Sequence, residues 1–217
     1  MERFDGLLRY LVRADQLPLM PPLPDADRAA LSAFARWARE FLCAPHPEVG
    51  RAGPVCPFVA PSLAGGHMWL TATAAPRPDD ALLDRALARL RDWFVDDFDD
   101  DPLKTVLVFF PELETAAASE LVERTQRRRL ADFVDQGLML GQFYPSCDAP
   151  GLWNPRFRPL RSPVPLVGMR HMVPTDLPFL VGEARFFAGY LALFRAHVPP
   201  QLQEMAKAAA TRFNIAL

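Results

Sequence analysis

The chain has 217 residues, half of them hydrophobic, with 24 basic and 26 acidic side chains and a net charge of -2 at pH 7. That balance excludes a chain-wide nucleic-acid binder, and no apolar run approaches the roughly 20 residues of a membrane helix. The N-terminal MERFDGLLRYLVRAD has charges inside its apolar pattern, unlike a secretory signal, and Cys43, Cys56 and Cys147 form no CxxC or zinc spacing. We therefore expect a cytoplasmic protein with reduced thiols.

Phe4, Leu7, Leu8 and Leu11 are spaced as one helical face and predict a helix over 2–14. Asp25 then caps a helix through about Leu42, with Leu31, Phe34, Ala35, Ala38 and Phe41 as its apolar stripe. Residues 44–66 read as a loop. His67 to Ala74 alternates like a strand. Asp79 opens a helix to about Val95, ending at the acidic run 96–101. Thr105 to Phe110 is a buried strand stopped by Pro111. A helix covers 115–136 and Gly137 ends it, and the triple arginine 127–129 on it reads as a salted surface. Strands are expected over 138–144 and 164–173, then one long helix from Thr175 or Asp176 to about His197, and a last helix over 201–212. The fold class is α+β: a single domain over 1–217 with a mixed sheet of about four strands. Residues 1–43 supply N-terminal helices and 44–217 the motif-bearing core.

The 23 prolines gather at 18–24, 45–61, 145–165 and 174–178, where they imply long structured loops. The segment GLWNPRFRPLRSPVP (151–165) sets Arg156, Arg158 and Arg161 between Trp153 and Phe157. Stiffly held guanidinium groups beside aromatic rings suit a carboxylate or phosphate. Pairing of the same arginines with surface aspartates is the plain alternative. The chain lacks GxGxxG after its first strand, GxxxxGK[ST], GxSxG and HExxH.

Four histidines are present. His197 at a helix end and His67 at a strand end suit surface roles. His46 and His171 lie beside Pro- and Arg-rich segments that could line a cleft, so both are candidate metal ligands. Cys56, in GPVCPF, is either a small buried hydrophobe, a nucleophile or a thiolate ligand. Tyr144, ahead of Pro145, is either a core ring or an acid–base or phenolate group. Asp176 reads as a helix cap.

At HPEVGRAGPVCPF (46–58), MLGQFYP (139–145), NPRFRPLRSPVP (154–165) and MRHMVPTDLPFL (169–180) the chain resembles a bacterial domain family of unknown function whose members often sit near natural-product genes. The layout also distantly resembles the YqcI/YcgG family, with a Pro-Cys motif early and a Phe-His-Pro motif late. That second resemblance implies a haem-b enzyme performing N-oxygenation or related N–O or N–N chemistry on an amino-acid-like substrate. It leads one to expect His before Pro145, where this chain has Tyr144, which leaves a tyrosinate, His46 or His171 to hold iron. Arg158, Arg161 and Arg170 would then meet haem propionates or a substrate carboxylate.

Three functions follow as expectations. One is a haem-dependent oxidative tailoring enzyme for a small carboxylate substrate, with Tyr144 and Cys56 as catalytic candidates. Another is a cofactor-free enzyme using Cys56 or His171. The last is a non-catalytic module binding a small anion or a partner. A homodimer is compatible with each, and none calls for nucleic acid or membrane.

Overall fold

The computed structural model describes residues 6–97 and 101–217. Five strands form one mixed sheet in the order β1-β2-β3-β5-β4, against the four or so expected. The strands are β1 (Val12–Arg13), β2 (Met68–Ala72), β3 (Thr105–Phe109), β4 (Leu138–Phe143) and β5 (Leu166–His171). Between β2 and β3 runs α3 (Asp80–Asp97), so these two strands pair in parallel through a helical crossover. All other pairings are antiparallel.

The additional strand is the chief correction. Residues 2–5 of the expected N-terminal helix lie outside the described residues. The rest is extended along the edge of β2: Arg9 N–H donates to Ala72 O at 2.9 Å and Ala74 N–H to Leu7 O at 3.0 Å. The stretch contains two periods at once. Leu7, Leu8 and Leu11 fit a helix, whereas Leu8, Tyr10 and Val12 fit a strand, and the last three are the ones buried. An open sheet edge with unpaired amides decides for the period of two. Arg9 then ties the strand to the next helix, donating to buried Asp27 at 2.5 Å and to Glu112.

Strand alternation gives the sheet two different faces. On the back, Val106, Val108, Leu138, Leu140, Val167 and Met169 pack against Leu83, Leu87, Leu90 and Phe94 of α3 and against Leu121, Val122 and Phe133 of α4 (Thr115–Val134). On the front, Leu70, Leu107, Phe109 and Leu166 meet Leu31, Phe34 and Ala38 from α1 (Asp25–Trp37) and the π turn that extends it over Ala38–Leu42. Asp25 is the first residue of α1, and Pro24 holds the cap position. Asp79 does cap α3, accepting the Leu82 N–H at 2.7 Å. Residues 98–100 of the acidic run lie outside the described residues.

The segment 44–66 is less bare than expected, since α2 (Val59–Ala64) forms within it. The single helix expected over 175–197 is instead a 3-10 turn at Pro174–Asp176, then α5 (Leu177–Leu180), a break, and α6 (Ala184–Phe194). Gly182 sits in the break, and the redirected α6 buries Phe187, Tyr190 and Leu191 against α7 (Gln203–Phe213) in a third cluster. The arginines 127–129 are salted as expected, on Glu123, Asp84 and Asp132. Among the described residues, no helix is long and apolar enough to cross a membrane.

Candidate functional site

The front of the sheet holds a cavity of about 630 Å³, within the range of small-molecule sites. Its floor is built by register. Leu107 pairs with Gly168, and Gly168 pairs with Gly141, so three strands present one large side chain and two bare backbones in a row. A Cβ on Gly141 would stand 3.0 Å from the Phe143 ring. One on Gly168 would stand 3.1 Å from Leu107 and 3.3 Å from that ring. The paired glycines thus let Phe143 lie flat across the sheet, leaving open space where side chains would otherwise fill it.

Phe34 and Trp37 of α1, Leu42 of the π turn, and Cys56, Phe58, Val59 and Ser62 also line the cavity. The Trp37 ring meets Phe143 edge-on at 6.2 Å. Phe179 and Met205 border it as well and are exposed, which marks the mouth. Among the described residues, the polar groups lining it are few: Arg170, Cys56, Ser62 and Thr105, with Gln126 of α4 and Gln142 coming from the back side of β4. Thr105 Oγ1 donates to Met169 O and Gln126 Nε2 to Leu140 O. Ser62 Oγ and Gln142 Oε1 are buried without a hydrogen-bond partner.

Among the described residues that line the cavity, Arg170 is the charged one. Its Nη1 donates to Asp176 Oδ2 at 2.7 Å and to His171 O at 2.8 Å, and its Nη2 donates to Asp176 Oδ1 at 2.6 Å. Its guanidinium also lies 5.6 Å from the Phe58 ring centre. Burial works against the charge, but Asp176 outweighs it, with Cys56 adding a smaller share, so the pKa rises above the ordinary arginine value. Asp176 is itself buried and accepts the Val173 N–H at 2.8 Å. Expected as a helix cap, it makes no cap bond to α5 and instead closes the preceding 3-10 turn through Val173, while serving as the counter-ion of Arg170. These bonds occupy three of the five N–H donors, and the fork is held rigid on the cavity wall.

The other expected site residues are dispersed. His171 follows Arg170 in a strand and so points to the opposite face, where its ring packs 4.8 Å from Phe94. His46 lies on the front but outside the cavity: its ring stacks on Phe157 at 4.8 Å, and its Nδ1 accepts the Glu48 N–H at 3.2 Å. The two histidines therefore do not converge on one metal. Among the described residues, no three or more His, Cys, Asp or Glu side chains cluster as a metal site. Tyr144 belongs to the back cluster, away from Cys56. Burial first, then Cys147 and Glu123, push its pKa upward, which keeps the phenol neutral.

The arginine-rich loop behaves unlike its composition. Arg158 donates to Pro155 O at 2.6 Å and Phe157 O at 3.1 Å. Arg161 donates to Cys147 O at 3.2 Å and Asp148 at 2.6 Å, and Arg156 is exposed. The cavity receives the apolar members of this region, Ala149, Pro150, Leu152 and Leu160. Of the site residues singled out from sequence, Cys56 and Arg170 meet in the cavity.

A family model described as a domain of unknown function, DUF6875, matches residues 31–205. The chain belongs to DUF6875. No curated protein and no solved structure matches it. The DUF6875 region encloses every residue lining the cavity, from Phe34 to Met205. The paired glycines, Gln142 and Ser62 escaped the sequence reading. Gly141 and Gly168 were legible as breaks inside strands, but nothing local to the chain said that they face each other.

Proposed function

We propose that this DUF6875 chain is an enzyme that binds a small, largely apolar carboxylate substrate in the front cavity and acts on it through Cys56. The observation that carries this reading is the meeting of a thiol and a rigidly held guanidinium on one apolar wall. Aromatic rings supply flat contact surface for the substrate body. The two remaining Arg170 N–H groups hold its carboxylate, although Asp176 cancels most of the net charge, so orientation is served more than raw affinity. Ser62 Oγ, buried without a partner on this wall, favours a substrate that also carries an N–H or O–H, as an amino acid derivative does. Cys56 attacks as thiolate or takes up a proton at Sγ. A reducing cytoplasm goes with the three free thiols.

Aromatic amino acids and aryl carboxylates offered to the protein are expected to raise Tm and slow iodoacetamide labelling of Cys56. Arg170→Met is expected to abolish the Tm rise. Ligands that stabilise both proteins equally, or leave Cys56 labelling unchanged, would overturn the assignment.

The haem-dependent reading has one observation in its favour: Cys56 is a soft donor on the wall of a largely apolar cavity with aromatic lining. Haem b would fit there as a thiolate complex held by Cys56, with Arg170 toward a propionate, and would supply the oxidative N–O chemistry. His46, His171 and Tyr144 do not fit as its ligands, since none lines the cavity. Hemin titration checks this reading: a Soret band that Cys56→Ala shifts supports it, and its absence removes it.

A further inference from the structure

We propose that Cys43 and Cys56 form a reversible disulfide, a modification site set into the wall of the cavity. They lie on neighbouring segments tied by backbone hydrogen bonds on both sides of Cys43. Val55 N–H donates to Ala44 O at 3.0 Å and Cys56 N–H to Leu42 O at 2.8 Å, while Pro45 and Pro54 form an antiparallel bridge beyond them. The pairing sets the two cysteines side by side on adjoining segments, the approach that a disulfide needs. Both thiols are free and half-buried, whereas Cys147 is buried in the back cluster. The Cys43 pKa is raised by burial and then by Cys56, so the two side chains sense each other.

The oxidant is a small disulfide of the glutathione type. Cys56, which faces the cavity, attacks it as thiolate, and one S–S bond breaks as another forms. One small thiolate leaves and takes up a proton, giving a mixed disulfide on Cys56. Cys43 then loses its proton to solvent and attacks the Cys56 sulfur, expelling the second small thiol. The protein gives up two protons and two electrons, and the oxidant becomes two thiols. The product ties off the segment 44–55 and removes the nucleophilic sulfur from the cavity. That loss of reactivity rests on the function proposed above, whereas the bond itself does not.

The full-length protein is incubated with oxidised glutathione, digested under non-reducing conditions and read by mass spectrometry. A peptide pair linked through Cys43 and Cys56 is expected, with titratable thiols falling from three to one. Dithiothreitol reverses the change, and oxidised protein melts a few degrees higher than reduced protein. Cys147→Ser is expected to oxidise as the wild type does, and Cys43→Ser to stop at a glutathione adduct on Cys56. Wild-type protein that carries only glutathione adducts, links through Cys147 or stays fully reduced overturns the proposal, whether or not Cys43→Ser folds. Aryl-carboxylate stabilisation of the reduced protein is measured in parallel, so failure of the disulfide and failure of the cavity assignment are read separately.

Discussion

The two faces of the sheet are built from the same strands, yet one is filled and the other is hollow. Along β5 the back-facing residues are Val167, Met169 and His171, and the front-facing ones are Leu166, Gly168 and Arg170. The back meets two long helices whose leucines and phenylalanines close over it. The front meets one helix, a π turn and a proline-rich loop across a glycine pair. A cavity therefore does not need a separate domain. Two missing side chains in register, with a cation held at the end of the row, are enough to open a cavity in half of a hydrophobic core.

The contrast can be broken by mutation. Phe94→Ala on the filled face is predicted to cost ~3–5 kcal/mol in urea unfolding, whereas Phe143→Ala, whose ring already borders open volume, should cost about half as much. Equal costs would mean that the front is as tightly packed as the back. Asp176→Ala is expected to cost about 3 kcal/mol, at the low end for a broken buried pair because Arg170 keeps 27% of its side chain exposed. Arg170→Met combined with Asp176→Leu should recover most of that loss, and failure to recover would indicate that Asp176 acts mainly as the turn cap.

Smaller effects sharpen the comparison. Gly168→Ala places a methyl group against Leu107 and Phe143 and is predicted to cost ~1–2 kcal/mol while weakening binding of aryl carboxylates. An unchanged dissociation constant by calorimetry would separate the glycine pair from the site. Iodoacetamide in folded protein at neutral pH should modify Cys56 first and leave Cys147 intact, since burial raises the Cys147 pKa. Early labelling of Cys147 would mean that the back face opens.

The smallest effect lies on the outer surface of the back helices. The Arg124 hydrogen bonds, opposed by partial burial and helped by Arg128, lower the Asp80 pKa. That contribution is present above the ordinary carboxylate range and is lost as pH falls through the depressed folded value. With Asp80 42% exposed, solvent screening limits Asp80→Asn to a few tenths of a kcal/mol. The difference in urea midpoints should begin to narrow below about pH 4 and close once pH falls below the depressed folded value, and a difference that persists there would point to a cause other than charge.

Long periodic elements were legible in the sequence. The β3 run TVLVF and helix α4, which buries Leu121, Val122, Phe133 and Val134, lie where they were expected, because burial on one face writes a strong local signal. The edge strand before Ala14 was not legible, since its residues satisfy two periods and the sheet edge chooses between them. The site was half legible. Cys56 and Arg170 could be named, but Arg170 and His171 cannot share a site when neighbours on a strand face opposite ways, a constraint already present in the sequence. Arg158 and Arg161 misled because a proline-rich loop leaves many carbonyls unpaired. Guanidinium groups satisfied those carbonyls first.

The lining of the cavity reaches from Phe34 to Met205, which has a consequence for vectorial synthesis on the ribosome. Helix α1 and the β2–α3–β3 unit emerge early and can pack together as they appear. The pocket cannot close until Met205 has left the exit tunnel. For that interval Phe34, Trp37, Leu107 and Leu166 form an exposed apolar surface, so the residues that line the hollow in the finished molecule are an aggregation-prone face of the nascent one.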